Sequence, residues 1–294
     1  MTKYAISSVN ENPEYLFFVP IWCAFWKRLG YEPYVITIDK NIPHPLMDLV
    51  ARTTEKMEGI LGYLEHIEGY KTANVAQVSR LFVAANGFFK DDDYLITDDI
   101  DKFVICRRWF NQQDFSKDIH IFDLDETNYT RLKIGYVGMK AKTWRDVLGI
   151  EADTYRPSLE ECLSGKLKKT NKAETYRYET QHEKEIDAGW NLDEFVLTKR
   201  LFESDYYPNR CHLITRGANH YGLRNGRIDR TFWKETLFQY LSSQIIDVHL
   251  HRKPYDEEIW NDIKWIMSTV FEKEKVDFFE EYKQEFVRII NEQV

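Results

Sequence analysis

The sequence predicts an α/β protein with a mostly parallel central sheet flanked by helices, followed by C-terminal helices. Three observations predict this class. A strand pattern at residues 4–9, an apolar helix and a second strand pattern at 34–38 form the β-α-β unit of parallel sheets. A short apolar strand at 94–97 follows an amphipathic helix. Two more amphipathic helices, after residue 256, are interpreted as packing elements that cover the sheet or a partner.

The first β-α-β unit carries signals for its own boundaries. The strand at 4–9 ends in a polar loop at 10–13, and Gly30 suits the C-terminus of the helix that follows. Asp39 closes the second strand. Neither of the phosphate-loop patterns GxGxxG and GxxxxGK[ST] follows the first strand. A dinucleotide oxidoreductase or a P-loop nucleoside triphosphatase is therefore disfavoured.

The next predicted helix covers residues 74–86, because apolar residues recur from Val75 to Ala85 at spacings of three and four. Arg80 lies on a different face of this helix. Its guanidinium is suited to reach a diphosphate or to fix an acidic ligand. The alternative interpretation is a solvated surface arginine.

An acidic stretch follows the strand at 94–97, where an unpaired carboxylate would be costly if buried. Asp98, Asp99 and Asp101 separate this strand from the apolar residues 103–105. In extended backbone, Asp99 and Asp101 leave the same face of the strand. Two convergent carboxylates make a hard-oxygen site for Mg²⁺ or Mn²⁺ that can also hold substrate phosphates. The alternative is an acidic turn between two strands.

Short strands are predicted at 120–123 and 134–141, with a helix from Thr143 and a polar insertion at about 151–187. Asp193 and Glu194 then stand near the N-terminus of another helix, where the dipole favours carboxylates. They are interpreted either as helix-capping residues or as a general base. In the second interpretation, Trp190 is a stacking platform for a sugar.

A segment at 247–252 contains two histidines. In extended backbone Asp247, His249 and His251 share a face. His249 could then add a nitrogen ligand to the metal, and Arg252 a phosphate contact. The alternative is a pair of structural or exposed histidines.

Composition narrows the class of protein. The chain has 294 residues, enough for one large α/β domain or two small ones, and it is 43% hydrophobic. A net charge of -8 and a pI of about 5.6 argue against general nucleic-acid binding. The four cysteines show no CxxC pair, so free thiols in a reducing compartment are expected. No targeting or transmembrane segment is found, so a soluble, cytoplasmic protein is expected.

These motifs resemble the nucleotide-sugar glycosyltransferases of GT-A fold, which carry a DxD motif. The resemblance is carried by the helix segment 77–81 before the strand at 94–97, and by Asp99-Ile100-Asp101. Residues 190–194 resemble the acidic motif that supplies the base, and 247–252 is similar to the segment whose histidine joins the metal. The overall pattern is similar to small soluble glycosyltransferases of bacteria and of large algal viruses, which would place a viral enzyme in the host cytoplasm.

The resemblance implies a GT-A-like domain at 1–255, with its insertion unmatched, and a helical extension at 256–294 packed on the same domain. A nucleotide-diphosphate sugar, with UDP as the expected nucleotide, would lie over the end of the first strand. The expected donor contacts are Ser8, Val9, Asn10, Arg80, Asp98, Asp99, Trp190 and Arg252. The expected ligands of Mn²⁺ or Mg²⁺ are Asp99, Asp101 and His249.

In this interpretation Asp193 removes a proton from a hydroxyl of a glycan acceptor and the transfer inverts the anomeric configuration, although retention stays open. The family often places the base last in a Glu-Asp pair, whereas this sequence has the order Asp193-Glu194. Glu194 is therefore the alternative base. Two other functions stay open, namely a sugar nucleotidyltransferase and a non-catalytic carbohydrate-binding protein. The sequence indicates no oligomeric state.

Overall fold

The computed structural model describes residues 1–39, 44–122, 132–165, 192–214, 226–230 and 245–292. Its strands are β1 (Lys3–Val9), β2 (Glu32–Asp39), β3 (Ile60–Glu65), β4 (Tyr94–Thr97), β5 (Lys102–Val104), β6 (Ile119–Ile121), β7 (Val137–Lys140), β8 (Cys211–Leu213), β9 (Arg227–Ile228) and β10 (Asp247–His249). Its helices are α1 (Pro13–Arg28), α2 (His44–Lys56), α3 (Thr72–Phe82), α4 (Arg107–Phe110), α5 (Ala141–Leu148), α6 (Tyr155–Leu163), α7 (Leu192–Glu203), α8 (Glu257–Ser268) and α9 (Lys273–Glu292).

The central sheet has seven described strands in the order β3-β2-β1-β4-β7-β6-β8. Among these seven strands, β7 alone runs antiparallel to its neighbours β4 and β6. The pairs β1–β2, β2–β3, β1–β4 and β6–β8 are parallel. The prediction of an α/β protein with a mostly parallel sheet is therefore confirmed.

The order of the strands creates a switch point between β1 and β4. From β1 the chain moves outwards to β2 and β3, and it then returns to place β4 on the other side of β1. In sheets of this kind ligands bind outside the carboxyl ends of the strands where the order reverses. Asn10 and Asp98 directly follow β1 and β4, so they lie at this point.

Helices cover the sheet on both faces, because alternate residues of each strand point to opposite sides. Ala5 and Val9 of β1 belong to one core cluster, which includes residues of α1, α2, α8 and α9. Ile6 belongs to the other, which includes residues of α3, α5, α6 and α7. These helices are flanking layers, as the sequence predicted. No described helix is both long enough and apolar enough to span a membrane.

Helix α1 starts and ends where the sequence signals it. Asn12 accepts a hydrogen bond from the Glu14 amide at 2.9 Å, Pro13 opens the helix, and Gly30 follows its end with a φ of 89°. The helix is buried from Leu16 to Trp26 on all of its faces. One reason is that α9 packs against it, with the Phe17 and Phe286 ring centroids 5.0 Å apart.

One prediction about local backbone is wrong. Extended backbone does not continue through Asp101. Residues 100 and 101 lie in a turn in which the Lys102 amide donates to the Asp99 carbonyl at 3.2 Å, which agrees with the alternative interpretation of an acidic turn between two strands. The turn arises because β5 leaves the central sheet and pairs with β10 in a small three-stranded sheet, in the order β5-β10-β9. The four cysteines are free, as predicted.

Candidate active site

The acidic turn at 98–101 is anchored from beneath by Asp98. The Asp98 side chain is fully buried, and its Oδ2 accepts hydrogen bonds from Trp22 Nε1 at 3.0 Å and Trp26 Nε1 at 2.9 Å. Burial raises the pKa of Asp98 to about 8, while Lys102 and the indole donors limit the rise. Asp98 therefore ties the turn to α1. A contact between Asp98 and a donor stays a prediction, and it would require this pairing to open.

Above the turn, Arg80 of α3 joins two carboxylates that are distant in sequence. Its Nη1 donates to Asp99 Oδ1 at 2.5 Å, and its Nη2 donates to Asp193 Oδ2 at 2.7 Å. The side chains of Arg80 and Asp193 are only 8% and 2% exposed. We call these three residues the arginine clamp. Arg80 is therefore a buried residue that fixes acidic partners, and the interpretation as a solvated surface arginine is wrong.

The two carboxylates of the arginine clamp have different electrostatic environments. Burial disfavours ionisation of Asp99, but Lys102 and Arg80 together hold its pKa well below its usual range. Burial raises the pKa of Asp193, and Arg80 limits that rise. Sites that divide acid and base roles between carboxyl groups push their pKa values apart in this way.

A second group of charged side chains lies on the small sheet. The Asp101 Oδ2 atom is 3.4 Å from His249 Nε2 and 3.3 Å from Arg230 Nη1. The other ring nitrogen of His249, Nδ1, is 3.4 Å from Asp229 Oδ2. We call these four residues the histidine cluster. Burial lowers the pKa of His249, but Asp101 and Asp229 together raise it by more than burial lowers it, so the net shift is upward.

Strand β10, which ends at His249, is held in place at its first residue, Asp247. The Asp247 side chain is fully buried, and it accepts hydrogen bonds at 2.7 Å from both Arg227 Nη2 and Tyr136 Oη. The strand ends at His249, so His251 lies beyond its regular backbone. The regular extended backbone on which the predicted shared face of Asp247, His249 and His251 depends therefore ends at His249. Of these three residues, His249 is the one paired with Asp101.

The chemistry of the histidine cluster fits a divalent metal ion. Asp101 Oδ2 and His249 Nε2 are 3.4 Å apart, and adjacent ligands of an octahedral ion with bonds of about 2.1 Å lie roughly 3 Å apart. Asp229 faces the second ring nitrogen of His249, which is the carboxylate partner that orients many metal-binding histidines. Asp101 and His249 therefore fit as ligands of Mn²⁺ or Mg²⁺, with Asp229 orienting the histidine.

Asp99, the third predicted ligand, is not assembled with that pair. Its two oxygens face cations, with Arg80 Nη1 on Oδ1 and Lys102 Nζ on Oδ2, each at 2.5 Å. Within the described part of the chain, no three His, Cys, Asp or Glu side chains are grouped so that they could hold a metal ion. Of the three predicted ligands, Asp101 and His249 therefore lie together, whereas Asp99 is paired with two cations, and the metal site stays a prediction.

The predicted donor contacts at the end of β1 line the switch point. The Ser8 hydroxyl donates to the Ala76 carbonyl of α3 at 2.5 Å, and Asn10 Nδ2 donates to Thr72 Oγ1 at 3.4 Å. The Val9 side chain is 2% exposed and belongs to the core. Val9 therefore has only its backbone to offer a ligand, while Ser8 and Asn10 connect β1 to α3.

The remaining predicted residues differ in what surrounds them. Arg252 is exposed, and Glu194 is partly exposed at the start of α7, where its amide donates to Asp193 Oδ1 at 2.9 Å. Trp190 lies outside the described residues. Its predicted role as a sugar platform stays a prediction.

Four residues near the site were not predicted from the sequence, namely Tyr15, Lys102, Asp229 and Arg230. Lys102 left a signal, because a lysine that opens an apolar strand is unusual if that strand is buried. Tyr15 lies in the first turn of α1, and burial and Asp101 raise its pKa whereas Arg252 and Arg230 lower it. The sequence has no local pattern that marks Tyr15 or Asp229.

No protein-family model and no curated protein sequence matches the chain. Solved structures do match it. The galactosyltransferase LgtC, in complex with donor and acceptor sugar analogues, is 12% identical, with a TM-score of 0.46 over 96% of this chain and 95% of LgtC. The glycosyltransferase GlyE of Streptococcus pneumoniae is 12% identical, with a TM-score of 0.47 over 99% of this chain and 63% of GlyE.

The bifunctional glycosyltransferase WbbM is a third match, 12% identical with a TM-score of 0.43 over 95% of this chain and 51% of WbbM. This chain therefore spans about half of WbbM and less than two thirds of GlyE. All three proteins are glycosyltransferases. With identities of 12% and TM-scores of 0.43 to 0.47, these likenesses carry no conclusion about this chain, whose architecture is defined by the sheet order described above.

Proposed function

We propose that this chain is a glycosyltransferase that moves a sugar from a nucleotide-diphosphate donor to a hydroxyl of a glycan acceptor. One observation carries the proposal. The carboxylates of Asp99 and Asp101 lie in the turn between β4 and β5 at the switch point, and β10 brings His249 beside Asp101. A site that combines hard oxygen ligands, an imidazole and several cations is suited to a diphosphate leaving group.

The donor would occupy the carboxyl ends of β1 and β4, with UDP as the proposed nucleotide. Asp101 and His249 would hold Mn²⁺ or Mg²⁺, with Asp99 as the proposed third ligand. A bound divalent ion offsets the negative charge that develops on the departing diphosphate. Arg230, at the edge of the histidine cluster, and the exposed Arg252 are the side chains that would contact phosphate oxygens.

The proposed general base is Asp193, with Glu194 as the alternative, in a transfer that inverts the anomeric configuration. The raised pKa of Asp193 supports this role, because general bases are commonly tuned upward by burial. Its burial favours Glu194 instead, because an acceptor hydroxyl must reach the base within hydrogen-bond distance. Asp193 also positions Arg80. The choice between the two therefore requires kinetics.

The proposed location is the cytoplasm. All four cysteines are free, including the partly exposed Cys106. Free thiols are typical of a reducing compartment. Retention of activity in the presence of reductant would agree with this location.

Calorimetry tests the proposed function most directly. Purified protein is titrated with UDP in the presence and absence of Mn²⁺, and then with nucleotide sugars that are monitored for slow hydrolysis. We expect that Mn²⁺ strengthens UDP binding and that Asp101→Ala abolishes the effect while the protein remains folded. The matched control is Asp92→Ala, because Asp92 is 78% exposed and pairs with Lys140 away from the site.

The outcomes separate the functions that the sequence left open. Metal-dependent UDP binding with slow release of the free nucleotide supports glycosyl transfer. Formation of a nucleotide sugar from a nucleoside triphosphate and a sugar phosphate would support a nucleotidyltransferase. Sugar binding without metal or nucleotide would support a carbohydrate-binding protein. UDP and Mn²⁺ binding by Asp101→Ala that equals the parent would overturn the assignment of the metal site.

A further inference from the structure

Lys102 is a buried cation placed directly against the acidic turn. It opens β5, it is 5% exposed, and its Nζ atom lies 2.5 Å from Asp99 Oδ2. The same ammonium is 5.3 Å from the centre of the Tyr136 ring. An ammonium this deeply buried is stable only when it is paired, so Asp99 is its principal partner in the described structure.

The surrounding backbone leaves room for this ammonium. A Cβ atom added at Gly135 would lie 2.5 Å from Lys102 Nζ and 3.6 Å from Asp99 Oδ2. A side chain at position 135 would thus crowd the ammonium before it crowded the carboxylate. Glycine at position 135 therefore leaves the space that the Lys102 ammonium occupies when it pairs with Asp99.

The pair has a consequence for metal binding. An ion that approached Asp99 would meet a positive charge already in contact with one oxygen and Arg80 in contact with the other. Like charges at such distances repel strongly in a poorly solvated site. A donor diphosphate changes this balance, because its oxygens offer Lys102 an alternative charge-assisted partner.

We propose that Lys102 is a tethered cation that occupies Asp99 until a diphosphate arrives, and that it thereby couples divalent-metal binding to donor binding. The inference rests on the proposed function. In the donor-free protein Lys102 weakens binding of the metal alone. When the diphosphate draws the ammonium away, the Oδ2 atom of Asp99 becomes available as the third ligand, while Oδ1 stays paired with Arg80. Coupling of this kind is reciprocal, so the metal strengthens diphosphate binding by the same factor.

The test measures binding of Mn²⁺ alone, of UDP alone and of Mn²⁺ in the presence of saturating UDP, by calorimetry on the full chain. In the parent protein we expect Mn²⁺ alone to bind weakly and UDP to strengthen it roughly 100-fold. In Lys102→Met we expect Mn²⁺ alone to bind at least about tenfold more tightly, with a correspondingly smaller effect of UDP. Lys102→Arg retains a cation and should resemble the parent.

Two more variants complete the experiment. Lys140→Met removes a lysine that is 47% exposed and pairs with Asp92, so it should leave all three affinities unchanged. Gly135→Ala should displace the ammonium and shift Mn²⁺ affinity in the same direction as Lys102→Met, which keeps the test decisive if that variant does not fold. Mn²⁺ binding that is no tighter in the folded variants than in the parent overturns the inference. If the parent protein does not bind UDP, either with or without Mn²⁺, the proposed function is overturned instead.

Discussion

The arginine clamp and the histidine cluster lie at the same edge of the protein, but they are built differently. In the clamp, Arg80 approaches its two carboxylates at 2.5 and 2.7 Å, and two of the three side chains are at most 8% exposed. In the histidine cluster the separations are 3.3 to 3.4 Å, and Arg230 and Asp229 are 34% and 32% exposed. The clamp is the more tightly paired group, with Arg80 and Asp193 buried and Asp99 30% exposed, whereas the cluster has longer contacts and is partly open.

This difference indicates a division of work within the site. The clamp connects α3, the turn after β4 and α7, so its contacts stabilise the fold as well as the site. The side chains of the cluster make longer contacts with one another and could rearrange around an ion. We therefore expect substitutions in the clamp to change stability strongly, and substitutions in the cluster to change ligand affinity with little loss of stability.

The largest expected effect comes from Arg80→Met. It leaves Asp193 buried without its guanidinium partner, and breaking a buried pair on one side costs about 3–5 kcal/mol of unfolding free energy. Chemical denaturation followed by intrinsic fluorescence measures the change. The matched control is Arg52→Met, because Arg52 is 54% exposed in its pair with Glu285 and its loss should cost about 1 kcal/mol or less.

A double variant shows whether that loss arises in the pair itself. Arg80→Met combined with Asp193→Leu removes both charges and should recover part of the stability lost in Arg80→Met. A double variant that is less stable than the single one by the full cost of Asp193→Leu would show that the two side chains are not coupled. The clamp would then not be a unit.

The next effect concerns catalysis by the two carboxylates of α7. Asp193→Asn should keep donor and metal affinity and reduce transfer by about 10²-fold or more, the scale of lost general-base assistance. Glu194→Gln should be close to the parent. Initial rates at saturating donor measure both. A collapse in Glu194→Gln with near-normal turnover in Asp193→Asn would reassign the base, and near-normal turnover in both would remove it from this motif.

The histidine cluster should respond in affinity. Asp229→Asn removes the partner of His249 Nδ1 and should weaken Mn²⁺-supported UDP binding by about 10- to 100-fold, and His249→Ala should weaken it further. Calorimetry and denaturation on the same samples separate affinity from stability. His251→Ala is the neighbouring control and should retain the affinity of the parent. A loss confined to His251→Ala would move the ligand by two residues.

The smallest expected effect comes from an ion pair that belongs to neither the arginine clamp nor the histidine cluster. Glu280 accepts hydrogen bonds from Trp260 at 2.8 Å and Lys264 at 3.0 Å, and it is 28% exposed. Burial raises the pKa of Glu280, but these two donors together lower it by more than burial raises it, so the pKa lies below its ordinary value of 4.5. Glu280→Gln should cost about 1 kcal/mol or less at neutral pH.

The pH dependence of that cost has a definite sign. A carboxyl group with a lowered pKa in the folded state contributes stability above its unfolded pKa and loses it as the pH falls through the folded value. The difference between Glu280→Gln and the parent should therefore be full at pH 7 and disappear progressively below pH 4.5. A difference that is constant from pH 7 to pH 3 would show that the carboxylate charge contributes nothing.

Several candidate residues could be selected from the sequence because each breaks a local apolar pattern, and their roles stay predictions. Asp99 and Asp101 stand between two apolar strands, and Arg80 lies off the apolar face of an amphipathic helix. Their pairings could not be identified in this way. Arg80 and Asp193 are 113 positions apart, and nothing in either local pattern indicates that the other exists.

The sequence by itself indicated β1-α1-β2, α3-β4 and the two C-terminal helices, because apolar periodicity and capping residues act over a few neighbouring positions, but it did not indicate α2, β3 or α6. It also determined which chemical groups are available at the ends of β1 and β4. Only the tertiary structure decided that Asp98 is enclosed by Trp22 and Trp26 while Asp99, the next residue, faces Arg80 and Lys102. The physical reason is that burial and ion pairing depend on which segments meet in space, and that follows from how both cores pack around the sheet.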